Sequence, residues 1–227
     1  MKLFIDCTNG VSGDMLVGAL EELGADLAVI RRLKLGEEHH HQHHHHHHHG
    51  RSFTEIKEKI GSLPLEYETK KKALSIYTEI AKAEAEVHGA TLETVHFHEV
   101  GRDEAIINVI SAAEAVRQLK ANEIYCSELH DGNGKIECAH GLLDVPVPAV
   151  RAIMKGCEGY SFITEDGESE MITPSGLAMI KGLGAKCIAE ISEFSNQILS
   201  REIIARAEKR GTRSKERPGL RAYLTEE

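Results

Sequence analysis

The sequence predicts an α/β fold: a single mixed α/β domain, rich in helix, with a flexible His-rich loop. Three observations predict it. The chain opens on an apolar run, KLFID, then a glycine-rich turn, then apolar residues at helical spacing, the strand, turn and helix order of an α/β unit. Its middle is dominated by long segments with apolar residues three and four apart, whereas short strand-like runs between Gly, Pro and Asn fill the C-terminal half. The 227 residues, 41% hydrophobic and 28% charged, suit one globular unit, and no internal repeat divides them.

Taken in order, residues 2–6 form a strand, NGVSG a turn, and DMLVGALEELG an amphipathic helix closed by Gly24. DLAVIRRLKLG adds a second helical stretch. EEHHHQHHHHHHHG offers no apolar face to a core and reads as a flexible loop. A short helix from Phe53 to about Leu63 stops at Pro64, and a long one from Glu66 to His88 carries Ala73, Ile76, Tyr77, Ile80 and Ala81 along one face, with Gly89 behind it. After HFHEVGRDEA, Ile106, Val109, Ile110, Ala113 and Val116 mark another helix. Residues 123–130 and 134–138 read as two strands of a hairpin around Asp131-Gly132-Asn133-Gly134. Pro148 starts a helix, YSFIT is a strand, MITPSGLAMIKGLG runs from a strand end into a helix with Pro174 in its first turn, and CIAEI is a further strand. A basic loop and a strand from about Leu220 close the chain.

Composition narrows the function. Lys plus Arg number 27 against 36 Asp plus Glu, a net charge of −9, which argues against nucleic acid held through its phosphates. Aromatics at 4% and the absence of Trp leave no platform for stacking bases. Five cysteines without a CxxC pair point to a reducing compartment. No signal peptide or apolar run of membrane-spanning length is legible, so the expectation is a cytoplasmic protein with no membrane partner.

The chemistry-bearing segments are few. His39, His40, His41, His43, His44, His45, His46, His47, His48 and His49, interrupted only by Gln42, make a metal collector. Neutral imidazole suits Ni, Cu, Zn and Co, and a flexible run lets several rings converge on one ion. Its internal position, with GRSFTEI behind it, argues against an expression tag. Ligation requires deprotonated rings, so uptake fades below the reference His pKa of ~6.5. His96, His98 and Glu99 form a second cluster, HFHE. In a strand His96 and His98 share a face at a spacing found in metal sites, and the equally available reading is a helix-entry His satisfied by backbone groups. The turn at Gly10, Ser12, Gly13 and Asp14 suits an anion at a helix N-terminus, although no Lys-Ser/Thr pair makes it a P-loop. Asp6 and Asp14 together suit a hard cation, or Asp14 is simply an acid in a first helical turn. The Pro146/Pro148 and Thr173-Pro174-Ser175-Gly176 segments read as rigid loops. No nucleophile and base pair is legible.

Six segments in chain order, DCTNGVSGDMLVGAL, the His run followed by RSFTEI, FHEVG, GNGKIECAHGLLDVPVPA, EMITPSGLA and GTRSKERPGLR, together resemble the LarC nickel-insertion family over nearly the whole chain. The complete protein of that family uses CTP to insert nickel into a pyridinium bis(thiocarboxylic acid) mononucleotide, giving the nickel pincer cofactor of lactate racemase. The resemblance implies a LarC-like N-terminal domain over residues 1–227, without the family's C-terminal CTP-binding domain, and hence part of a nickel-inserting lyase of the metal chelatase type. It implies nickel as the metal handled, and CTP with Mn or Mg only where the C-terminal domain is supplied in trans. The implied partners are the pincer nucleotide precursor, apo lactate racemase as acceptor, and further copies of itself when complete. On this reading His39–His41 and His43–His49 gather nickel, His96 and His98 hold it nearer the chemistry, His98 and Glu99 act catalytically, and the Gly10–Asp14 turn receives the nucleotide. The alternative is a nickel storage or delivery protein that catalyses nothing. After FHEVG the family typically has an Asp-Ser pair and a later Asp, where this chain has Glu104, Ala105 and Asn108.

Overall fold

The computed structural model describes residues 1–33, 35, 50–138, 141–211 and 218–226, so the His run and His140 lie outside the described residues. The chain begins with β1 (Lys2–Asp6), α1 (Gly13–Glu22) and α2 (Ala28–Arg31). It resumes as β2 (Arg51–Ser52), α3 (Phe53–Ser62), α4 (Tyr67–His88), β3 (His96–Phe97) and α5 (Asp103–Gln118). Then follow β4 (Glu123–Ser127), β5 (Leu129–Gly132), β6 (Lys135–Cys138), β7 (Gly141–Asp144), α6 (Pro148–Lys155), β8 (Phe162–Glu165) and α7 (Pro174–Gly182). The last elements are β9 (Lys186–Ile188), α8 (Ile191–Leu199), β10 (Ile203–Lys209) and β11 (Leu220–Thr225). This is the mixed α/β fold expected.

A five-stranded sheet in the order β10-β11-β1-β4-β9 is the spine. β1, β4 and β9 run parallel, and β11 lies antiparallel to both β1 and β10. Alternation in β1 sets the layers: Leu3 and Ile5 join the main core, while Phe4 faces a small cluster with Phe194 and Ile198 of α8. The main core is built from Leu, Ile, Val and Ala of α1, α4, α5 and α7. Its largest buried side chain is Tyr77, whose hydroxyl donates to the Val100 carbonyl at 2.9 Å and so does not strand a polar group.

Helix boundaries follow local chemistry. Ser52 and Glu55 form a capping box at the start of α3, and Gly89, at φ 63°, ends α4 in the left-handed conformation. Pro148 and Pro174 occupy the first turns of α6 and α7, where a missing N–H costs nothing.

The expected hairpin is not formed. β4 ends at Ser127, and β5 pairs in parallel with β8, not with β6. β6 turns back antiparallel onto β7 instead, two elements' worth of pairing displaced from the Asp131–Gly134 turn. The reason lies in Asp131, whose Oδ1 accepts the N–H groups of Gly132, Met171 and Ile172 at 2.8–3.1 Å and holds this segment to the chain before α7. The sequence reading also gives no element for α8 or β10. In α8 only Phe194 and Ile198 are buried while Ile191 and Leu199 stay exposed, and in β10 Ile203 and Ile204 are both exposed, so much of the apolar content there does not report burial.

Candidate functional site

Two regions carry the chemistry. The first is the turn after β1. Gly10, at φ 82°, donates to the Cys7 carbonyl at 2.9 Å, and a Cβ there would stand 2.2 Å from the Met171 carbonyl oxygen. Only glycine fits that conformation and that approach. Val11 and Ile172 then meet in a parallel bridge, with Val11 N–H donating to Met171 and Thr173 N–H to Val11.

This bridge sets two helix starts side by side. Ser12 caps α1 by accepting from Met15 N–H at 3.2 Å, and Thr173 caps α7 by accepting from Gly176 N–H at 3.1 Å. Gly176 lies against the backbone of Val11 and Ser12, and Gly13 against Ser175 Oγ. The structure thus brings together NGVSGDM and ITPSG, two segments 160 or so residues apart. Two helix starts set together in this way bring two positive dipole ends close to each other, which suits a negatively charged group.

Asp6 and Asp14 are not a shared cation site. Asp6 is buried and fully engaged: Oδ1 accepts from Thr8 N–H and Thr8 Oγ1, and Oδ2 pairs with Arg221 Nη2 at 2.8 Å. Asp14 is exposed and accepts from Asn108 Nδ2 at 2.6 Å. That bond links the glycine-rich segment to the helix after FHEVG, at the position where the resemblance expects an acid. Glu104 stands in the first turn of the same helix beside Asp103.

The second region is HFHE. Only His96 and Phe97 are in strand conformation, pairing antiparallel with Ser52 and Arg51. Phe97 is buried against Tyr77 and Phe53, and His96, His98 and Glu99 are exposed, so the two histidines do avoid the buried face. His96 Nδ1 lies 3.2 Å from the Gly50 carbonyl oxygen. His98 meets His88 edge to face, ring centroids 6.3 Å apart, and His88 Nε2 lies 3.2 Å from Glu84 Oε2. Gly50, the residue that follows His49 in the sequence, is thus held beside His96 at the start of the β2–β3 ribbon. Arg51 holds the ribbon by donating to the Gly101 carbonyl and pairing with Asp103.

Among the described residues no group of three His, Cys, Asp or Glu side chains is arranged to hold a metal ion. His39–His41 and His43–His49 lie outside those residues. Among the described residues, no helix is long and apolar enough to cross a membrane.

The sequence reading missed three participants. His88 follows Glu84 by four residues on α4, a helical pairing the sequence does signal. His130 stands between two carboxylates, Nδ1 2.5 Å from Glu165 and Nε2 3.1 Å from Glu128, with its N–H directed to the Cys7 carbonyl at 3.3 Å. Arg221 pairs with Asp6 across the β1–β11 register. The His130–Glu165 and Asp6–Arg221 contacts join residues far apart in sequence and leave no local signal.

The model of the family described as nickel insertion protein matches residues 3–203. A protein of Acetivibrio thermocellus named pyridinium-3,5-bisthiocarboxylic acid mononucleotide nickel insertion protein is 38% identical over 212 residues, covering 81% of this chain and 52% of that protein. Proteins of the same name from Desulfitobacterium hafniense and Staphylococcus epidermidis are 35% and 36% identical, over 78% and 80% of this chain and 48% and 50% of their own length. No solved structure matches. The chain spans about half the length of the curated relatives it matches, and with its family model covering nearly all of it, this chain belongs to the nickel insertion protein family.

Proposed function

We propose that this chain is the N-terminal component of a CTP-dependent nickel insertase, which places nickel in the pyridinium bis(thiocarboxylic acid) mononucleotide and makes the nickel pincer cofactor of lactate racemase. Family membership supports the reaction class. The observation that carries the division of labour is the β2–β3 ribbon, which pins Gly50, the residue after the His run, against His96.

In this reading nickel is the substrate. His39–His41 and His43–His49 collect the ion, and His96 and His98 receive it on the exposed side of the ribbon. A run of many imidazoles gives capacity, and a pair of them on the folded domain gives geometry. Glu99, exposed beside His98, takes the proton that a ligand or the pyridinium ring releases as metal–sulfur and metal–carbon bonds form. The phosphate of the mononucleotide lies at the paired starts of α1 and α7, where Gly10, Ser12 and Gly13 present backbone groups and Asp14 marks the rim. CTP, with Mn or Mg, is the business of a C-terminal domain acting in trans, and apo lactate racemase receives the product.

One observation favours the second reading, a nickel storage or delivery protein: no ready-made metal cluster exists among the described residues. The test is reconstitution of apo lactate racemase with this chain, nickel, the apo pincer nucleotide and CTP with Mn²⁺ or Mg²⁺, each with and without a separately made C-terminal domain. Activation only with both pieces is the expected result. His98→Ala should then impair insertion by more than it lowers total nickel bound, and nickel binding without activation in any arm would shift the assignment to storage.

A further inference from the structure

Outside both regions, the thiols of Cys126 and Cys187 are paired across two parallel strands. Cys126 of β4 is the register partner of Cys187 of β9. Neighbouring strands lie about 4.8 Å apart, inside the Cα separation of about 4.4–6.8 Å that a disulfide spans. As register partners on parallel strands, the two side chains leave the same face of the sheet side by side. Cys187 Sγ also lies 3.5 Å from the Ser161 N–H and 3.5 Å from the Ser127 carbonyl oxygen.

The two thiols differ in character. Cys126 is fully buried, whereas Cys187 is half-buried on a three-residue edge strand. The neighbouring Cys126 thiol brings the Cys187 thiol down to about 7 against the opposing effect of burial, with help from the Ser161 N–H. Cys126 is raised by its Cys187 neighbour and by burial, and Cys7 and Cys157 are raised chiefly by burial. One accessible thiolate beside one buried resolving thiol is the arrangement that peroxide-sensitive sites use.

We propose that Cys187 and Cys126 form a two-electron oxidation site, at which a peroxide oxidises Cys187 and Cys126 closes an intramolecular disulfide. The Cys187 thiolate attacks one peroxide oxygen, the O–O bond breaks, and the departing oxide takes a proton to leave as water or alcohol. Cys126 sulfur then attacks the sulfenic acid sulfur, the S–S bond forms, and its proton leaves with the hydroxyl as water. Two thiols are oxidised by two electrons and one peroxide is reduced, and a dithiol reverses the step by exchange.

The test treats the reduced protein with hydrogen peroxide, blocks free thiols, and maps tryptic peptides. Residues 121–135 and 187–201 fall in separate peptides, as do Cys138 and Cys157. The expected result is a linked 121–135/187–201 pair, lost on dithiothreitol, with Cys187 alkylated about tenfold faster than the buried cysteines in the untreated protein. Cys187→Ser should abolish the link, and Cys126→Ala should leave a sulfenic acid on Cys187 that dimedone traps. The mapping of the unmutated protein stands even where Cys126→Ala fails to fold. Cross-links among other cysteines, or over-oxidation of Cys187 with Cys126 still free, would overturn the proposal.

Discussion

Asn108→Asp is the most informative single change at the glycine-rich turn. Asn108 Nδ2 donates to Asp14 Oδ1 at 2.6 Å, and the substitution is nearly isosteric, so the backbone has no reason to move. It removes a hydrogen bond to a charged group, about 1.5 kcal/mol at the low end expected for a partly exposed pair. It also sets two carboxylates within about 4 Å, a repulsion of about 1 kcal/mol where water screens, as it does at exposed Asp14. Together these predict a loss of about 2.5 kcal/mol, or roughly 5–10 °C in melting temperature for a domain of this size. The loss should appear in EDTA and be recovered by millimolar Mn²⁺ or Mg²⁺, since two facing carboxylates are hard-cation ligands, while the unmutated chain should respond to neither. Melts with and without cation check this. A variant as stable as the parent in EDTA would show that the Asp14–Asn108 bond is not a working contact, and a destabilised variant indifferent to cation would show that the two positions cannot share an ion.

Two further outcomes follow from the core. Gly10→Ala should cost about 3 kcal/mol or more by urea denaturation, because a positive φ and a 2.2 Å approach to Met171 act together, whereas Gly24→Ala, also at positive φ but with nothing within 4 Å, should cost about 1 kcal/mol; equal losses would remove the steric argument for the α1–α7 junction. Glu114 is bound by Arg117, Thr69 and Gln118, and although burial opposes ionisation those bonds bring its carboxyl down to about 2. A lowered carboxyl stabilises the fold above its ordinary value of 4.5 and loses that contribution as pH falls towards 2, so Glu114→Gln should cost about 2 kcal/mol at pH 7 and progressively less from pH 4.5 to pH 3 in urea titrations at each pH.

What the sequence discloses divides by the range of the physics involved. α4, α5 and the caps at Ser52, Gly89, Pro148 and Pro174 are local, and period and capping chemistry announce them. The strand β1 and its turn are legible for the same reason. Pairing is not local: Asp131 looks like the corner of a hairpin because Asp-Gly-Asn-Gly is turn chemistry, yet its carboxylate is spent on Met171 and Ile172, forty residues on. Likewise NGVSGDM and ITPSG each read as a helix start, but nothing in either segment says that the two starts touch. The His run is legible as chemistry and not as position, and its relation to HFHE emerges only through the two-residue ribbon β2–β3, too short to leave a pattern.

That ribbon constrains how nickel could reach any fixed site. A free polyhistidine segment would sample a volume set by its own length, and the ions it holds would meet His98 only by diffusion. Gly50, fixed against His96, is the residue that follows His49 in the sequence, so in the proposed reading the tether from the ribbon is shortest for the histidines nearest Gly50 in sequence. The gain is one of effective concentration and declines along the run towards His39, because each added residue lengthens the tether. In the proposed reading the histidines are then not equivalent for transfer even where they are equivalent for binding. Replacing His47–His49 and replacing His39–His41 remove the same number of histidines, and only the first removes those nearest Gly50 in sequence, so in the proposed reading the first should slow insertion more at equal nickel bound.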